Sequence, residues 1–331
     1  MSTRAVALMS GGLDSVLAIK LLQDQGIQVL ALNFVSCFFA CAGSQKRHIP
    51  TITAREEGFE IRVLKLGMDY MRLLENPPHG RGREMNPCVD CHTFMLQKAK
   101  KIMTEIGAAL VITGEVLGQR PLSQHLQALR LIEKESGLSG RLLRPLSAQL
   151  LKPTIPEDEG LVDRSRLLAI QGRSRKNQFA LAEKFKLRTF SAPAGGCLLT
   201  DPVISRRLRD LFSRLPDYDM IDARLLSLGR HFRLHPQLKA IVGRNQEENE
   251  RLSRLADNHQ QLELRDHSGP LMLVRGQPNQ QELQVLGRLL RFYAKKVTAK
   301  EVVVCRIQAG RTDEFPAGDP LDNQQVEDIR I

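Results

Sequence analysis

Residues 4–26 read RAVALMSGGLDSVLAIKLLQDQG, and this stretch decides the fold. Residues 5–9 form a short apolar run that leads into a pair of glycines, which is typical of a buried strand. Residues 14–25 have the apolar spacing of a helix, which Gly26 ends. Paired glycines let the backbone approach an anion, and a helix that begins there offers free N–H groups and the positive end of its dipole. The stretch therefore predicts a phosphate-binding turn between a strand and a helix.

The turn itself supplies the first candidate site. Its candidate ligand-binding residues are Ser10, Gly11, Gly12, Asp14 and Ser15. No Lys followed by Ser or Thr comes after the glycines, so this is not a Walker loop. A glycine turn leading into a capped helix, with no ligand, is the alternative. The six residues resemble the SGGxDS signature of the PP-loop ATP-pyrophosphatases, which cleave ATP between the α and β phosphates and adenylate a substrate oxygen. The resemblance implies that residues 10–15 bind ATP and that Asp14 lies near Mg²⁺.

The rest of the chain predicts two domains. Apolar strand patterns at 27–35, 61–66 and 109–113 alternate with helical patterns at 51–58 and 94–106, which indicates a doubly wound, mainly parallel α/β sheet. We expect this domain to span residues 1–215 and a smaller α+β domain to span 216–310, followed by a loosely ordered tail at 311–331. Residues 242–249 faintly resemble the RNA-binding module of ribosome-quality-control factors. A turn leading into a helix capped by Asn245 is the alternative.

The charge balance is compatible with nucleic acid as a partner. The 331 residues include 48 Lys and Arg against 37 Asp and Glu, a net charge of +11, and a basic surface attracts polyanions. Tryptophan is absent and aromatic residues make up 5%, so phosphate and shape contacts are favoured over base stacking. The candidate RNA-binding residues are Arg173, Arg175, Lys176, Arg206 and Arg207, and a solvated basic face is the alternative. We find no run of 18 apolar residues and no secretory signal, which predicts a cytoplasmic protein with no membrane partner.

Six cysteines form the second candidate site. Structural disulfides are rare in the cytosol, so clustered cysteines there indicate metal or redox chemistry. Cys88 and Cys91 form a CxxC in NPCVDC, and Cys197 ends the glycine-rich loop PAGGC. Three thiolates suit a [4Fe–4S] cluster with one open iron, and they equally suit a persulfide relay with a resolving thiol. A zinc half-site that includes His92 is a further alternative. Cys37, Cys41 and Cys305 read as buried apolar residues, although Cys37 and Cys41 compete for the same roles.

Together these motifs resemble one enzyme family. NPCVDC resembles the NPC segment of tRNA 2-thiouridylases, and AGGC resembles the loop of their second catalytic cysteine. TGEVLGQ at 113–119, then SQ at 123–124 and RPL at 144–146, resemble tRNA 4-thiouridine synthases. The resemblance covers residues 4–200 and implies an ATP-dependent tRNA sulfurtransferase that adenylates a uridine carbonyl and replaces its oxygen with sulfur. It implies tRNA as partner, and inorganic sulfide or a cysteine desulfurase persulfide as sulfur donor.

The same resemblance assigns roles to residues. It implies Cys197, Cys91, Cys88 and Asp14 as catalytic residues, with Cys88, Cys91 and Cys197 as ligands of an iron–sulfur cluster. Gly114 and Gln119 follow a predicted strand end, which is the ligand-facing edge of an open α/β sheet, so we assign them to the ATP site. His92 stands where the family has Asn, and the CxxC with a third cysteine is closer to the iron–sulfur type than to the persulfide type. A PP-loop enzyme acting on a small molecule and a non-catalytic RNA-binding protein are the rival interpretations.

Overall fold

A computed structural model describes residues 3–39, 49–191, 197–256 and 259–331. Cys41 and residues 193–196 of the PAGGC loop lie outside these ranges. The chain divides into two compact units, Met1–Thr200 and Asp201–Ile331, and each is described by itself. No helix in the described ranges is long and apolar enough to cross a membrane.

The first unit is built on a five-stranded parallel sheet with the strand order β3-β2-β1-β4-β5. Its strands are β1 (Arg4–Leu8), β2 (Gln28–Val35), β3 (Glu60–Lys65), β4 (Leu110–Ile112) and β5 (Leu142–Leu143). The helices between and after them are α1 (Leu13–Gln23), α2 (Ile49–Glu57), α3 (Met68–Glu75), α4 (Cys88–Glu105), α5 (Leu126–Glu135), α6 (Ile155–Asp158) and α7 (Lys176–Lys184). This arrangement confirms the predicted doubly wound α/β sheet.

The middle of this sheet is apolar because both faces are covered. β1 and β4 are almost continuous hydrophobic runs, and Val6, Val111 and Ile112 are fully buried. α1 packs Val16 and Leu17 into the same core. One polar side chain interrupts this core: Asn33 on β2 donates its side-chain N–H to the carbonyl oxygen of Met9, at 2.7 Å. That bond fixes the end of β1 where the glycine turn begins.

The second unit is a six-stranded antiparallel sheet with helices, in the order β11-β10-β8-β9-β7-β6. Its strands are β6 (Arg230–His235), β7 (Leu238–Val242), β8 (Gln260–Leu264), β9 (Met272–Arg275), β10 (Val303–Gln308) and β11 (Arg311–Pro316). Its helices are α8 (Pro202–Arg214), α9 (Met220–Leu225), α10 (Gln246–Arg254), α11 (Gln280–Tyr293) and α12 (Asn323–Asp328). The predicted separate α+β domain is therefore present.

The limits of this unit differ from the prediction at both ends. The boundary lies between Thr200 and Asp201 rather than after residue 215, because α8 packs with the second unit. Arg207 on α8 donates to the carbonyl oxygens of Leu226 and Gly229, and Asp210 pairs with Arg233. The expected loose tail is instead the edge strand β11 followed by α12, whose Val326 is fully buried. Proline, glycine and aspartate in this tail form caps and turns rather than a disordered end.

Candidate functional site

The glycine turn between β1 and α1 has the conformation that an anion-binding loop needs. Gly11 has φ +82°, a left-handed conformation that favours glycine, and Gly12 caps α1 with an extended backbone. The Ser10 hydroxyl accepts from the N–H of Gly12 at 3.3 Å and lies 3.3 Å from the Ser15 hydroxyl. The Ser15 N–H donates to the carbonyl oxygen of Gly12 at 3.1 Å, whereas the N–H groups of Leu13 and Asp14 come too early in α1 to have an acceptor in the helix. The loop therefore presents these donors and a helix dipole to a phosphate.

Only one of the two carboxylate oxygens of Asp14, in the first turn of α1, has partners among the described residues. Its Oδ2 accepts from Gln119 Nε2 at 3.1 Å and lies 3.3 Å from an Arg175 guanidinium nitrogen. Its Oδ1 is buried and has no hydrogen-bond partner among the described residues. A buried carboxylate oxygen is costly to leave unpaired, and such an oxygen is a ligand that Mg²⁺ prefers. The geometry therefore fits a cation at Asp14 Oδ1.

Gly114 lies against the backbone of the phosphate loop. A methyl group added to Gly114 would lie 2.5 Å from both the carbonyl carbon of Asp14 and the amide nitrogen of Ser15. Only glycine allows the end of β4 to come this close to the start of α1. Gly114 thus sets the position of the loop through backbone packing, and Gln119 sets the orientation of Asp14.

The CxxC pair lies at the start of α4. Cys88 is the first residue of the helix and is half-buried, and Cys91 lies one turn further and is buried. The Tyr70 hydroxyl is 3.3 Å from Cys91 Sγ, and Tyr70 itself is 1% exposed. Burial raises the pKa of the Cys91 thiol to about 12, and it also raises the pKa of Cys88.

Cys197 comes to the same place from a distant part of the chain. Its Sγ is 3.7 Å from the carbonyl oxygen of Phe38, which also accepts from the N–H of Leu198 at 3.0 Å. Burial raises the pKa of Cys197, and a charge on Cys88 would raise it further. Negative charges on Cys197 and Cys88 would likewise raise the pKa of Cys91. The fold therefore brings the three sequence-predicted thiols within electrostatic reach of one another.

Cys37 also lies near these thiols, although the sequence pattern favoured a buried apolar role for it. It is half-buried, and a charge on it would raise the pKa of Tyr70, after the larger effects of burial and of Cys91. Its neighbour Phe39 packs its ring on that of Tyr70, with centroids 6.1 Å apart. Cys305 lies far from this group in sequence, on β10 of the second unit, where it is buried.

Three thiols are the donor set of a cluster rather than of a hard cation. Within the described residues, no group of three or more His, Cys, Asp or Glu side chains is placed to hold a metal ion, so the arrangement of the thiols does not by itself show a cluster. The predicted zinc alternative has no support in this arrangement, since His92 directs Nδ1 at Glu115 Oε1, 2.8 Å away. The chemistry of the thiols still fits an iron–sulfur cluster, which Cys88, Cys91 and Cys197 would ligate.

The phosphate loop and the thiols belong to one edge of the parallel sheet. The N–H of Ser191 donates to the carbonyl oxygen of Gly11 at 2.7 Å, and Ser191 forms an isolated parallel bridge with Gly12. Cys197 follows Ser191 by six positions. Cys197 Sγ contacts the carbonyl oxygen of Phe38, which follows the carboxyl end of β2, and β2 runs parallel to β1, whose carboxyl end leads into the phosphate loop.

A buried carboxylate between these two sites was not predicted as a site residue. Glu115 accepts from Thr113 Oγ1 and Arg144 Nε, each at 3.0 Å, and contacts His92 on α4. Burial opposes its ionisation, but Arg144 and His92 outweigh burial and lower the pKa of Glu115 to about 2. The acidic residue in TGE was the only sequence signal, since its partner Arg144 lies 29 positions away.

The five candidate RNA-binding residues have different environments. Arg173 and Lys176 are exposed, whereas Arg175 contacts Asp14 in the phosphate-loop site. Arg206 is exposed. The prediction for Arg207 is wrong: it is 7% exposed, it binds two backbone carbonyls, and burial lowers its pKa to about 10. The apolar spacing of Ile204, Leu208 and Leu211 on α8 puts Arg207 on the buried face.

Comparison with known proteins matches the two units to two different families. Residues 1–152 match the model described as thiamine biosynthesis protein (ThiI), and residues 229–329 match the model described as NFACT protein RNA binding domain. A probable tRNA sulfurtransferase of Methanothermobacter thermautotrophicus is 31% identical over 120 residues, which are 35% of this chain and 30% of that protein. The tRNA-specific 2-thiouridylase MnmA of Pelobacter propionicus is 31% identical over 115 residues, 32% of this chain and 31% of that protein.

This chain therefore spans about a third of the length of the curated relatives it matches. Among solved structures, a 4-thiouridine synthetase–RNA complex with bound ATP aligns with a TM-score of 0.37 at 23% identity, over 65% of this chain and 51% of that chain. By sequence, the N-terminal region of this protein resembles the PP-loop proteins of the thiamine biosynthesis protein (ThiI) family, and its C-terminal region resembles the RNA-binding domain of NFACT proteins.

Proposed function

We propose that this protein is an ATP-dependent tRNA sulfurtransferase, which adenylates a uridine carbonyl and replaces its oxygen with sulfur to give 4-thiouridine or 2-thiouridine. One observation carries the proposal: the phosphate loop follows the carboxyl end of β1, and Cys197 contacts Phe38, which follows the carboxyl end of the parallel neighbour β2. An enzyme that activates a carbonyl with ATP and then delivers sulfur to the same carbon needs both groups within reach of one nucleotide.

The phosphate loop would perform the first half of the reaction. Free N–H groups at the start of α1 and the hydroxyls of Ser10 and Ser15 bind the leaving pyrophosphate. Asp14 Oδ1 would hold Mg²⁺, which would neutralise phosphate charge, while Gln119 and Arg175 keep Asp14 in that orientation. The uridine carbonyl oxygen attacks the α-phosphate of ATP and pyrophosphate leaves, so the carbon acquires an adenylate as leaving group.

The three thiols would perform the second half. We assign Cys88, Cys91 and Cys197 as ligands of a [4Fe–4S] cluster, which supplies an iron without a protein ligand as a binding site for sulfide. Cys91 is buried and therefore shielded from water, Cys88 and Cys197 are half-buried, and Tyr70 orients Cys91 through its hydroxyl. In the persulfide version, Cys197 carries the transferable sulfur as a persulfide. Once that sulfur is bonded to carbon, the thiol of Cys91 or Cys88 attacks Cys197 Sγ, which forms a disulfide and releases the thiolated base, and a thiol reductant from solution then reduces the disulfide. In both versions sulfur attacks the adenylated carbon and AMP leaves.

The second unit supports RNA over a small molecule as substrate. Residues 229–329 match an RNA-binding domain model, and exposed Arg173, Lys176 and Arg206 are candidates for contact with tRNA phosphates. The sulfur donor is inorganic sulfide in the cluster version and a cysteine desulfurase persulfide in the relay version. We place the reaction in the cytoplasm, because the proposed substrate is tRNA.

The test compares matched cysteine variants of protein purified without oxygen. Cys197→Ala should abolish ATP-dependent thiolation of tRNA, measured by mass spectrometry of nucleosides, because both versions use that sulfur. Cys305→Ala, on β10 of the second unit, should leave thiolation unchanged. Full thiolation by Cys197→Ala would contradict both versions.

Iron content then separates the two versions. A broad absorption near roughly 400 nm with about four irons per chain, lost in Cys88→Ala, Cys91→Ala and Cys197→Ala, supports the cluster. Iron-free protein that thiolates tRNA with a persulfide donor supports the relay. Pyrophosphate release that depends on a small molecule and not on tRNA would instead favour a PP-loop enzyme with another substrate.

A further inference from the structure

The positive charge of this protein is concentrated in the unit that does not match the RNA-binding model. Residues 1–200 contain 27 Lys and Arg against 18 Asp and Glu, a net charge of +9, whereas residues 201–331 contain 21 against 19, a net charge of +2. RNA phosphates are bound mainly by unpaired cationic side chains, which release counterions when they bind. Phosphate binding should therefore be sought on the first unit.

Several arginines of the second unit already have a carboxylate partner. Arg233, Arg265, Arg306 and Arg330 each lie within 2.9 Å of a carboxylate oxygen. A guanidinium whose charge is already balanced by a carboxylate neutralises less of an RNA phosphate's charge, so it displaces fewer of the cations condensed on the RNA. The second unit can contact RNA, but its net charge of +2 attracts a polyanion less strongly than the +9 of the first unit.

Two turns of the first unit place exposed arginines beside the thiols. The first turn is closed by the N–H of Gly82, which donates to the carbonyl oxygen of Asn86 at 2.9 Å. A second hydrogen bond, from the N–H of Met85 to the carbonyl oxygen of Leu199 at 3.0 Å, joins this turn to the segment that carries Cys197. The second turn packs on the first, since a methyl group on Gly82 would lie 2.7 Å from Leu122 Cδ1. Arg83 on the first turn and Arg120 on the second are both exposed.

The second turn continues to the phosphate loop. Gln119, which precedes Arg120, donates to Asp14 in the phosphate loop. On the other side, the N–H of Gly172 donates to the carbonyl oxygen of Leu117 at 2.7 Å, and a methyl group on Gly118 would lie 3.6 Å from the Gly172 nitrogen. Arg173 follows Gly172 directly. Lys176 opens α7, and both side chains are exposed. The four exposed cations thus follow a continuous set of packed turns from the thiols to the phosphate loop. We call them the basic rim: Arg83, Arg120, Arg173 and Lys176.

The rim differs from the other basic residues near the site in being unpaired. Among the described residues, no carboxylate forms an ion pair with any of its four members, whereas Arg175 pairs with Asp14 and Arg166 pairs with Asp24. Arg120 is also close enough to the thiols that its charge opposes the burial-driven rise in the pKa of Cys88 and of Cys197. Four free cations around a buried reactive site form a binding surface for consecutive phosphates.

We propose that the basic rim binds consecutive phosphates of the RNA strand that carries the target nucleotide, with Arg83 and Arg120 on the phosphates nearest the thiols. The assignment of a target nucleotide rests on the proposed function, whereas the binding of RNA phosphates by the rim does not. The rim provides affinity and orients the strand, and it is separate from the groups that bind ATP and sulfur.

The experiment measures the affinity of the full chain for tRNA as a function of salt. The test variant is Arg83→Gln with Arg120→Gln, which removes two charges and keeps a polar side chain at each position. Its matched control is Arg214→Gln with Arg224→Gln, two exposed arginines of the second unit. Fluorescence anisotropy with labelled tRNA at several KCl concentrations gives Kd and the slope of log affinity against log salt. Thermal unfolding of every variant checks that the fold is retained.

We expect the rim variant to bind tRNA about tenfold more weakly near 0.15 M salt and to lower the slope by about 2, since each lost phosphate contact lowers it by about 1. The control should bind within about twofold of the wild type. Wild-type affinity and slope in the rim variant, or a larger loss in the control, would overturn the proposal. If the first pair lowers the melting temperature, Arg173→Gln with Lys176→Gln decides by the same criteria.

Measurements of binding and of thiolation test the rim and the proposed function separately. Rim variants that bind weakly while the wild type binds tRNA but never thiolates it would refute the proposed function and leave the rim standing. Thiolation of normal rate by a rim variant at limiting tRNA would refute the rim and leave the proposed function standing.

Discussion

At the scale of single residues, the site depends on close approach of backbone to backbone. Gly114 and Gly11 each leave space that another element fills: the backbone of Asp14 and Ser15 lies against Gly114, and Pro50 and Ser191 lie against Gly11. The sequence identified both glycines as ligand-binding. In the structure Gly114 packs against the backbone of Asp14, which no local pattern could reveal because residues 14 and 114 are brought together only by the pairing of β1 with β4.

Gly114→Ala should therefore impair ATP binding. A Cβ at 2.5 Å from two backbone atoms forces the start of α1 to move, and overpacking of this kind costs about 1–3 kcal/mol of stability. We expect at least about a tenfold loss of ATP affinity by calorimetry, since the loop donors must meet the phosphates within a few tenths of an ångström. Gly67→Ala is the control, because its added methyl would meet only Asp69 Oδ1 at 3.7 Å. Unchanged ATP affinity in Gly114→Ala would disprove this account of the loop.

At the scale of elements, one buried carboxylate ties four of them together. Glu115 follows β4, and its partners His92 and Arg144 lie on α4 and after β5; Arg144 in turn binds Glu133 and the Leu129 carbonyl of α5.

The helices and strands themselves were largely predictable from apolar spacing. The hairpin of β6 and β7 was not, because 231–243 reads as one continuous strand and the turn at Pro236 and Gln237 interrupts it.

The Glu115 network predicts a specific pH dependence of stability. The pKa of Glu115 falls from 4.5 to about 2 on folding, so the carboxylate stabilises the native state above about pH 4.5, and this contribution is lost as pH falls towards 2. We expect Glu115→Gln to lower the free energy of unfolding by about 3 kcal/mol at pH 7, in urea titrations, and the difference from wild type to shrink below pH 4.

Glu133→Gln is the control for this network. Glu133 also binds Arg144, at 3.1 Å, but its side chain is a quarter exposed, so its loss should cost less than that of Glu115. A difference between Glu115→Gln and wild type that stays constant from pH 7 to pH 3 would show that Glu115 is not held as a buried anion.

At the scale of the whole molecule, the sequence could place the two sites but not the border between the units. SGGLDS lies between a strand and a helix, and the cysteines follow short proline- or glycine-containing stretches, NP before Cys88 and PAGG before Cys197, so both candidate sites could be predicted from local pattern. The border was not, because Pro216 suggests a break while α8 before it carries the buried Leu208 and Leu211. Arg207 and Asp210 on the same helix look like surface charges in the sequence, and their partners follow 19 or more positions later.

The border makes a prediction about fragments. A fragment of residues 201–331 should fold with a cooperative transition, whereas a fragment of 216–331 should be less stable by several kcal/mol. Without α8, Lys239 and Arg233 lose Asp210, and Lys239 is only 5% exposed, so an unpaired buried cation remains. Removal of Leu208 and Leu211 also exposes apolar surface, at about 25 cal/mol per Å². Circular dichroism during urea unfolding measures both fragments, and equal midpoints would show that α8 does not belong to the second unit.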